Sequence, residues 1–308
     1  MATTVSPAIS NSIGLASRYL PILDEIYKAG SKTAILDTFQ DRVRWSDEYH
    51  TFYLFETSMV GLGDYDRNGG FVRGDVTSSW QSYAPQWDRG RQFLVDVQDN
   101  AESVGMAFGT LAGEFIRTKE VPEIDACRFA TYASGAAAAN KQTETLSTSS
   151  GTIASIDNAT AALDDAEVPY EGRILFVNPT TYKYIKGGIT RMIENADRNV
   201  DYNVEMYNSM RVITVPSGRF NTAVTLAQPS AHDGAGGFTA TGATINYMIV
   251  HPTAVMQAVK MAEPRVFSPR ENQQAQAWMY DFRLYHGAWV KHQKANGIYV
   301  SAPAVVSG

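Results

Sequence analysis

The chain has 308 residues, 44% of them apolar and 19% charged, which suits one large or two modest globular cores and is not the composition of a disordered chain. Net charge is −6, from 26 basic and 32 acidic residues, and no Lys/Arg run is dense enough to track a phosphate backbone, which argues against tight intrinsic nucleic-acid binding. No uninterrupted apolar run approaches the roughly 20 residues that span a bilayer, the start MATTVSPAIS lacks the basic and apolar regions of a signal peptide, and Cys127 is the only cysteine, so an internal disulfide and a cysteine-built zinc site are both excluded.

In chain order, residues 1–40 read as an extended arm with a short helix around Ile13 to Lys28, interrupted by Pro21. Residues 41–60, DRVRWSDEYHTFYLFETSMV, are rich in aromatic and β-branched residues and read as strand; the turn near GDYDRNGG reverses the chain into FVRGDVTSSWQSYAP. The two runs make a long two-stranded arm. Val72, Val76 and Trp80 fall on one face, and Arg73, Asp75 and Thr77 on the other. A ribbon only half apolar is marginal in water by itself, so this one is expected to lie on a neighbouring molecule. Charge usage agrees: no lysine occurs between Lys32 and Lys119, whereas Arg42, Arg44, Arg67, Arg73, Arg89, Arg91 and Arg117 all do. Arginine's planar fork suits contact with carboxylates, although arginines on an ordinary solvated face would look the same.

RQFLVDV is a further short strand. Asp99 or Asn100 then offers an N-cap, and Val104, Phe108, Leu111 and Phe115 form a helical stripe that predicts a helix to about Lys119. Pro122 opens a second predicted helix, VPEIDACRFATYAS, with Ile124, Phe129 and Tyr132 as its buried positions. The small and polar stretch 134–151 reads as a linker into a second unit. There TIASIDNATAALDDAEV reads as helix, GRILFVN as buried strand, PTTYKYIKG as a helix opened by Pro179, and RVITVPSG as strand. A Gly/Ala/Ser-rich loop, QPSAHDGAGGFTATGA, precedes the strand TINYMIV. The strand-like segments RVFS, WMYDFRLYHGAWV and GIYVSA follow, with Asn296-Gly297 as a predicted hairpin turn between the last two.

The strongest chemical motif sits at the turn of the arm. Asp64, Asp66, Asn68 and Gly69, with Asp75 in the twelfth place, match the spacing of a calcium loop. Its flanks read as strands instead of helices and its last residue is aspartate instead of glutamate. The same string serves a hairpin turn, because Asn and Gly accept positive φ. Neither an H-E-x-x-H pair nor a GxGxxG, GxxxxGK[ST] or GxSxG motif occurs among His50, His232, His251, His286, His292 and the glycines, so zincin, nucleotide and α/β-hydrolase chemistry have no foothold. The carboxylate pairs Asp164/Asp165 and Glu123/Asp125 have the chemistry for acid/base work, but adjacent acids at a helix end read first as solvated charge. The expectation is a chain that is not an enzyme, with no cofactor.

GDYDRNGGFVRGDV, DRGRQFLVDVQDN, LAGEFIRTKEVPEIDACRFATYAS and the closing PRVFSPRENQQAQAWMYDFRLYHGAWV with NGIYV resemble the major capsid proteins of tailed bacteriophages, of the Hong Kong 97-type fold. The similarity extends from about residue 45 to 302. It implies an α+β fold with an N-terminal arm (1–44), an extended E-loop hairpin (45–97), a peripheral domain that includes a long spine helix (98–149 and 261–308), and an axial domain (150–260). By the same resemblance the chain would assemble with itself into pentamers and hexamers of an icosahedral shell around double-stranded DNA. Scaffolding, portal and decoration proteins would be its partners, it would touch no membrane, and it would be assembled in the host cytoplasm into the virion. Trp80 and Trp87 would be apolar anchors against a neighbour, or packing residues within the subunit, and Arg67, Arg73, Arg89 and Arg91 would set the register against a neighbour's carboxylates. The E-loop has no lysine, so the lysine–asparagine crosslink of the type member is not expected, and a start at Met1-Ala2 close to the arm points to a separately encoded scaffolding protein. An encapsulin-like shell around enzyme cargo, and a calcium-binding or hydrolytic α+β protein built on the Asp64–Asp75 loop, are the alternative readings.

Overall fold

A computed structural model describes residues 30–37, 43–45, 51–65, 67–71, 73–97, 111, 113–190, 204–228, 236–273 and 275–304. The expected helix at 13–28, the N-cap at 99 or 100, the positions of Val104 and Phe108, and Arg42, His50, Asp66, Val72 and His232 lie outside these residues.

The strands are β1 (Val43–Trp45), β2 (Phe52–Met59), β3 (Val76–Tyr83) and β4 (Trp87–Asp96), followed by a π-helical turn (Ile116–Glu120) that runs directly into α1 (Val121–Gly135). Then come β5 (Lys141–Thr143), α2 (Ser149–Asp165), β6 (Ile174–Val177), α3 (Pro179–Thr190), β7 (Met206–Tyr207), β8 (Met210–Thr214), β9 (Val224–Leu226) and β10 (Phe238–Ala240). β11 (Tyr247–Val250), β12 (Val255–Phe267), β13 (Ala277–Val290) and β14 (Ile298–Ala302) complete the described chain.

A six-stranded sheet of order β5-β14-β11-β6-β8-β7 is the centre of the larger core. Its middle strands are uniformly apolar, as strands covered on both faces must be. Alternation sends Ile174 and Phe176 of β6, Met248 and Val250 of β11, and Ile298 and Val300 of β14 to the face covered by Phe129, Tyr132 and Ala133 of α1. Leu175, Val177, Ile249 and Tyr299 point to the opposite face, under Ile156 and Leu163 of α2 and Ile185 of α3. Phe129 contacts Phe176 and Phe220 edge-on at 5.2 and 4.9 Å between ring centroids. The helix ends follow local chemistry: Thr148 caps α2 by accepting from the Gly151 N–H at 3.2 Å, and Asn178, just before Pro179, caps α3 by accepting from Thr181 N–H at 2.7 Å. β5 and β14 join this sheet from outside the expected 150–260 span.

The second core lies under the three-stranded sheet β12-β13-β4, where Ile116, Val121 and Ile124 pack on Tyr280, Phe282 and Leu284. One helix therefore serves both cores, its first turns on this sheet and its last turns on the six-stranded one. Two helices were expected here, broken before Pro122. The chain instead stays helical through residues 113–135. The π-turn explains this: proline in a regular helix loses one backbone bond and its ring strikes the carbonyl four residues earlier, and an inserted residue opens the turn at that place. The buried positions predicted for this segment hold, with Ile124, Phe129 and Tyr132 all essentially inaccessible.

The predicted hairpin at Asn296-Gly297 is not formed. β13 pairs with β12 and β4, whereas β14 pairs with β11 and β5, and a 3-10 helix (His292–Gly297) connects them. The glycine is needed for close approach rather than for positive φ: a Cβ on Gly297 would sit 2.8 Å from the Cβ of Ala254. The Asn296 carbonyl accepts from Asn140 Nδ2 at 2.8 Å, and the Gly297 carbonyl from His251 N–H at 2.9 Å.

Candidate functional site

β2 and β3 form an antiparallel ladder from Phe52↔Tyr83 out to Met59↔Val76, and Val60 N–H closes it on the Asp75 carbonyl at 3.4 Å. In this register Tyr53, Phe55, Thr57, Met59, Val76, Ser78, Trp80 and Ser82 share one face, while Glu56, Ser58, Thr77, Ser79 and Gln81 share the other with Phe52, Leu54 and Tyr83 at its base. Towards the tip the alternation expected of a half-apolar arm is present, and apolar side chains there lie open among the described residues: Met59 is 72% exposed and Trp80 49%, and Val60, Leu62 and Phe71 around the tip are exposed as well, whereas Leu54 near the base is buried. Phe55 stands directly opposite Trp80 with ring centroids 5.0 Å apart, and Tyr65 meets Phe71 at 4.9 Å near the tip. Gly70, at φ 81°, turns the chain there.

The base of the hairpin is anchored. Tyr83 packs edge-on against Trp289, and Trp87 sits half-buried with its ring 5.1 Å from that of His286. Arg89 on β4 donates through Nε to Glu123 Oε1 of α1 at 2.6 Å, through Nη1 to the Ala227 carbonyl at 2.8 Å and through Nη2 to the Gly237 carbonyl at 3.3 Å, so its fork is engaged inside the subunit. Arg91 lines a cavity of about 590 Å3 beside the π-turn. Of the six residues expected at a subunit contact, Arg67, Arg73 and Trp80 therefore lie exposed on the hairpin, whereas Trp87, Arg89 and Arg91 belong to its base.

Asp64, Asn68 and Asp75 are exposed around the tip, between two strands instead of two helices, and no group of three metal-ligating His, Cys, Asp or Glu side chains occurs among the described residues. His251 is held by Thr253 Oγ1 at 2.7 Å and by the Glu171 carbonyl at 3.1 Å. Burial, with the nearby Arg128 and Arg89, pushes the His286 imidazole down to about 3, so it is neutral at physiological pH.

Sequence reasoning missed the polar centre that holds the helix in place. Asp125 was expected as solvated charge but is fully buried. Its carboxylate accepts from Ser31 Oγ (2.7 Å), Lys32 N–H (2.9 Å), and Thr33 N–H and Oγ1 (3.2 and 2.8 Å), and it pairs with Arg219 at 3.1 Å. Arg128 reaches the same Thr33 hydroxyl at 2.9 Å. Glu123 is likewise paired, with Arg89. The available signal was position: Asp125 falls between Ile124 and Ala126, on the side of the helix that is otherwise apolar.

No protein-family model and no curated protein matches the chain. Solved structures do. The capsid structure of the cyanophage P-SCSP1u aligns with a TM-score of 0.59 at 10% identity, over 85% of this chain and 86% of that one. A chain from the asymmetric unit of the bacteriophage PhiM1 mature capsid aligns at 0.56 with 12% identity, over 85% and 84%. A chain from Gordonia phage Cozz aligns at 0.57 with 12% identity, over 82% and 81%. At these identities the likeness is one of architecture, over more than four-fifths of the chain: the chain carries the tailed-phage capsid fold, of the Hong Kong 97 type.

Proposed function

We propose that this chain is the major capsid protein of a tailed bacteriophage, a structural component of the virion that assembles with itself into the pentamers and hexamers of an icosahedral shell around double-stranded DNA. The observation that carries this reading is the uncovered apolar face of the β2–β3 hairpin, on a chain with the capsid fold. A monomer gains nothing from holding Met59, Val76 and Trp80 in water, whereas a repeated contact that covers them on each neighbour closes a shell. Residues 45–97 act as the E-loop, with Trp80 as its apolar anchor and Arg67 and Arg73 as the cations that fix its register on a neighbour's carboxylates. Residues 1–44 form the arm, 98–149 and 261–308 the peripheral domain, and 150–260 the axial domain, to whose sheet β5 and β14 are added from the flanking segments. Arg89 and Arg91 support the contact from the base of the loop, by fixing β4 and lining the cavity beside it. Trp87 braces the same base. A net charge of −6 suits a wall that must not grip the DNA moved past it. Scaffolding, portal and decoration proteins are the further partners, and assembly takes place in the host cytoplasm.

Deleting residues 62–76 tests this reading, because the deletion removes the tip and leaves both cores intact. The expected product is a folded subunit with a cooperative thermal transition that no longer forms closed shells. A deletion variant that assembled normally would defeat the proposal.

A further inference from the structure

The π-turn carries a group that the assembly reading does not use. Glu120, its last residue, is only 8% exposed, and its Oε2 is buried without a hydrogen-bond partner among the described residues. The neighbouring Arg117, Thr118 and Lys119 face solvent, so Glu120 is the one polar residue that the widened turn brings inward, beside the buried Ile116. On β13 the fully buried Tyr280 also leaves its hydroxyl unpartnered. The seat between them is apolar, built from Ile116, Val121 and Ile124 against Phe282 and Leu284. The 590 Å3 cavity, which Glu120 itself lines, opens on one side of this seat.

The charged and titratable groups around Glu120 can be assigned by element. The helix supplies Glu114, Lys119 and Glu123, and β4 supplies Arg89 and Arg91, of which Arg89 is engaged by Glu123. β13 supplies Tyr280, while β12 packs there through Val259 and Val266, and the Gly236–Gly237 wall of the cavity carries no titratable side chain. No ion pair reaches Glu120 among the described residues.

We propose that Glu120 is a proton-controlled latch: as a neutral acid it lets the π-turn seat on β13 and β4, and as a carboxylate it turns out into the adjoining cavity and unseats that turn. A bare carboxylate cannot stay in an apolar seat without a partner, and the cavity provides the nearest route to water. Burial, and then the Glu123 charge, push the Glu120 carboxyl up to about 8. The unfolded chain releases this proton near the ordinary glutamate value. In the folded protein the latch therefore stays closed up to about pH 8 and opens above that, while its contribution to stability is complete below about pH 4.5 and is lost progressively as pH rises from there toward 8.

The test compares the full-length wild type with Glu120→Gln, which keeps the shape of the neutral acid and cannot ionise. Between pH 5 and pH 8 the unfolding constant of the wild type should rise about tenfold or more relative to the variant. Hydrogen exchange over residues 113–124, corrected for the intrinsic pH dependence, should speed up above pH 8 in the wild type and not in the variant. Parallel pH profiles in both readouts overturn the latch. If Glu120→Gln does not fold, carbon-detected titration of glutamate-labelled wild type decides: a Glu120 midpoint near 8 supports the latch, and one near 4.5 overturns it.

Discussion

Asp125 shows how far one buried side chain can hold this architecture together. Four donors from residues 31–33 and the Arg219 guanidinium converge on its carboxylate, so two segments distant in sequence are fixed to one turn of α1. Truncating one member of a buried, fully satisfied charge network typically costs about 3–5 kcal/mol, because the remaining partners are left desolvated. Asp125→Ala is accordingly expected to lose stability of about that size in a denaturant titration, and a loss under about 1 kcal/mol would show that water replaces the carboxylate. His286 has the opposite chemistry. The folded protein refuses it a proton until pH falls to about 3, while the unfolded chain accepts one near the ordinary histidine value. Its share of stability is thus complete above about pH 6.5 and is lost as pH falls from there toward 3. Thermal midpoints measured between pH 7 and pH 4 should drop more steeply for wild type than for His286→Gln; superimposable slopes would place the proton elsewhere.

Among the elements, the hairpin and the long helix differ in what holds them. The helix is fixed by packing on two sheets, whereas the hairpin is held near its base by β1, which pairs with Phe52–Leu54 of β2, and further out, among the described residues, by its own ladder and the Phe55–Trp80 pair. Trp80→Ala is therefore predicted to change the stability of the subunit by no more than about 0.5 kcal/mol, as at an ordinary exposed site, while strongly reducing the yield of assembled particles. Denaturation and sedimentation on the same preparation check both halves, and a large stability loss with unchanged assembly would reassign Trp80 to intrasubunit packing. The hairpin was legible in the sequence because the aromatic and β-branched richness of residues 41–60 and the turn residues of GDYDRNGG are local properties. The continuity of the helix past Pro122 was not legible, because the π-turn that admits the proline is stabilised by tertiary packing on β13. Asn296-Gly297 misled for a similar reason: the pair favours a tight turn only where the flanking strands pair with each other, and here each finds a partner in a different sheet. Arg89 also reads as a surface cation in sequence, since its acceptors at Glu123, Ala227 and Gly237 are far along the chain.

At the scale of the whole molecule, each core is closed by distant segments. β14 lies between β5 and β11 in one sheet, β4 is added to the β12–β13 hairpin in the other, and a single helix packs on both. Such a subunit presents its hairpin from a rigid base, which is what repeated, geometrically defined self-contacts require. The central claim is that the exposed hairpin face is covered by further copies of the same chain. Negative-stain microscopy with sedimentation velocity, on the chain expressed alone and together with a candidate scaffolding protein, tests it most directly. Uniform closed particles are the predicted result, and a persistent monomer or small oligomer under both conditions would contradict it.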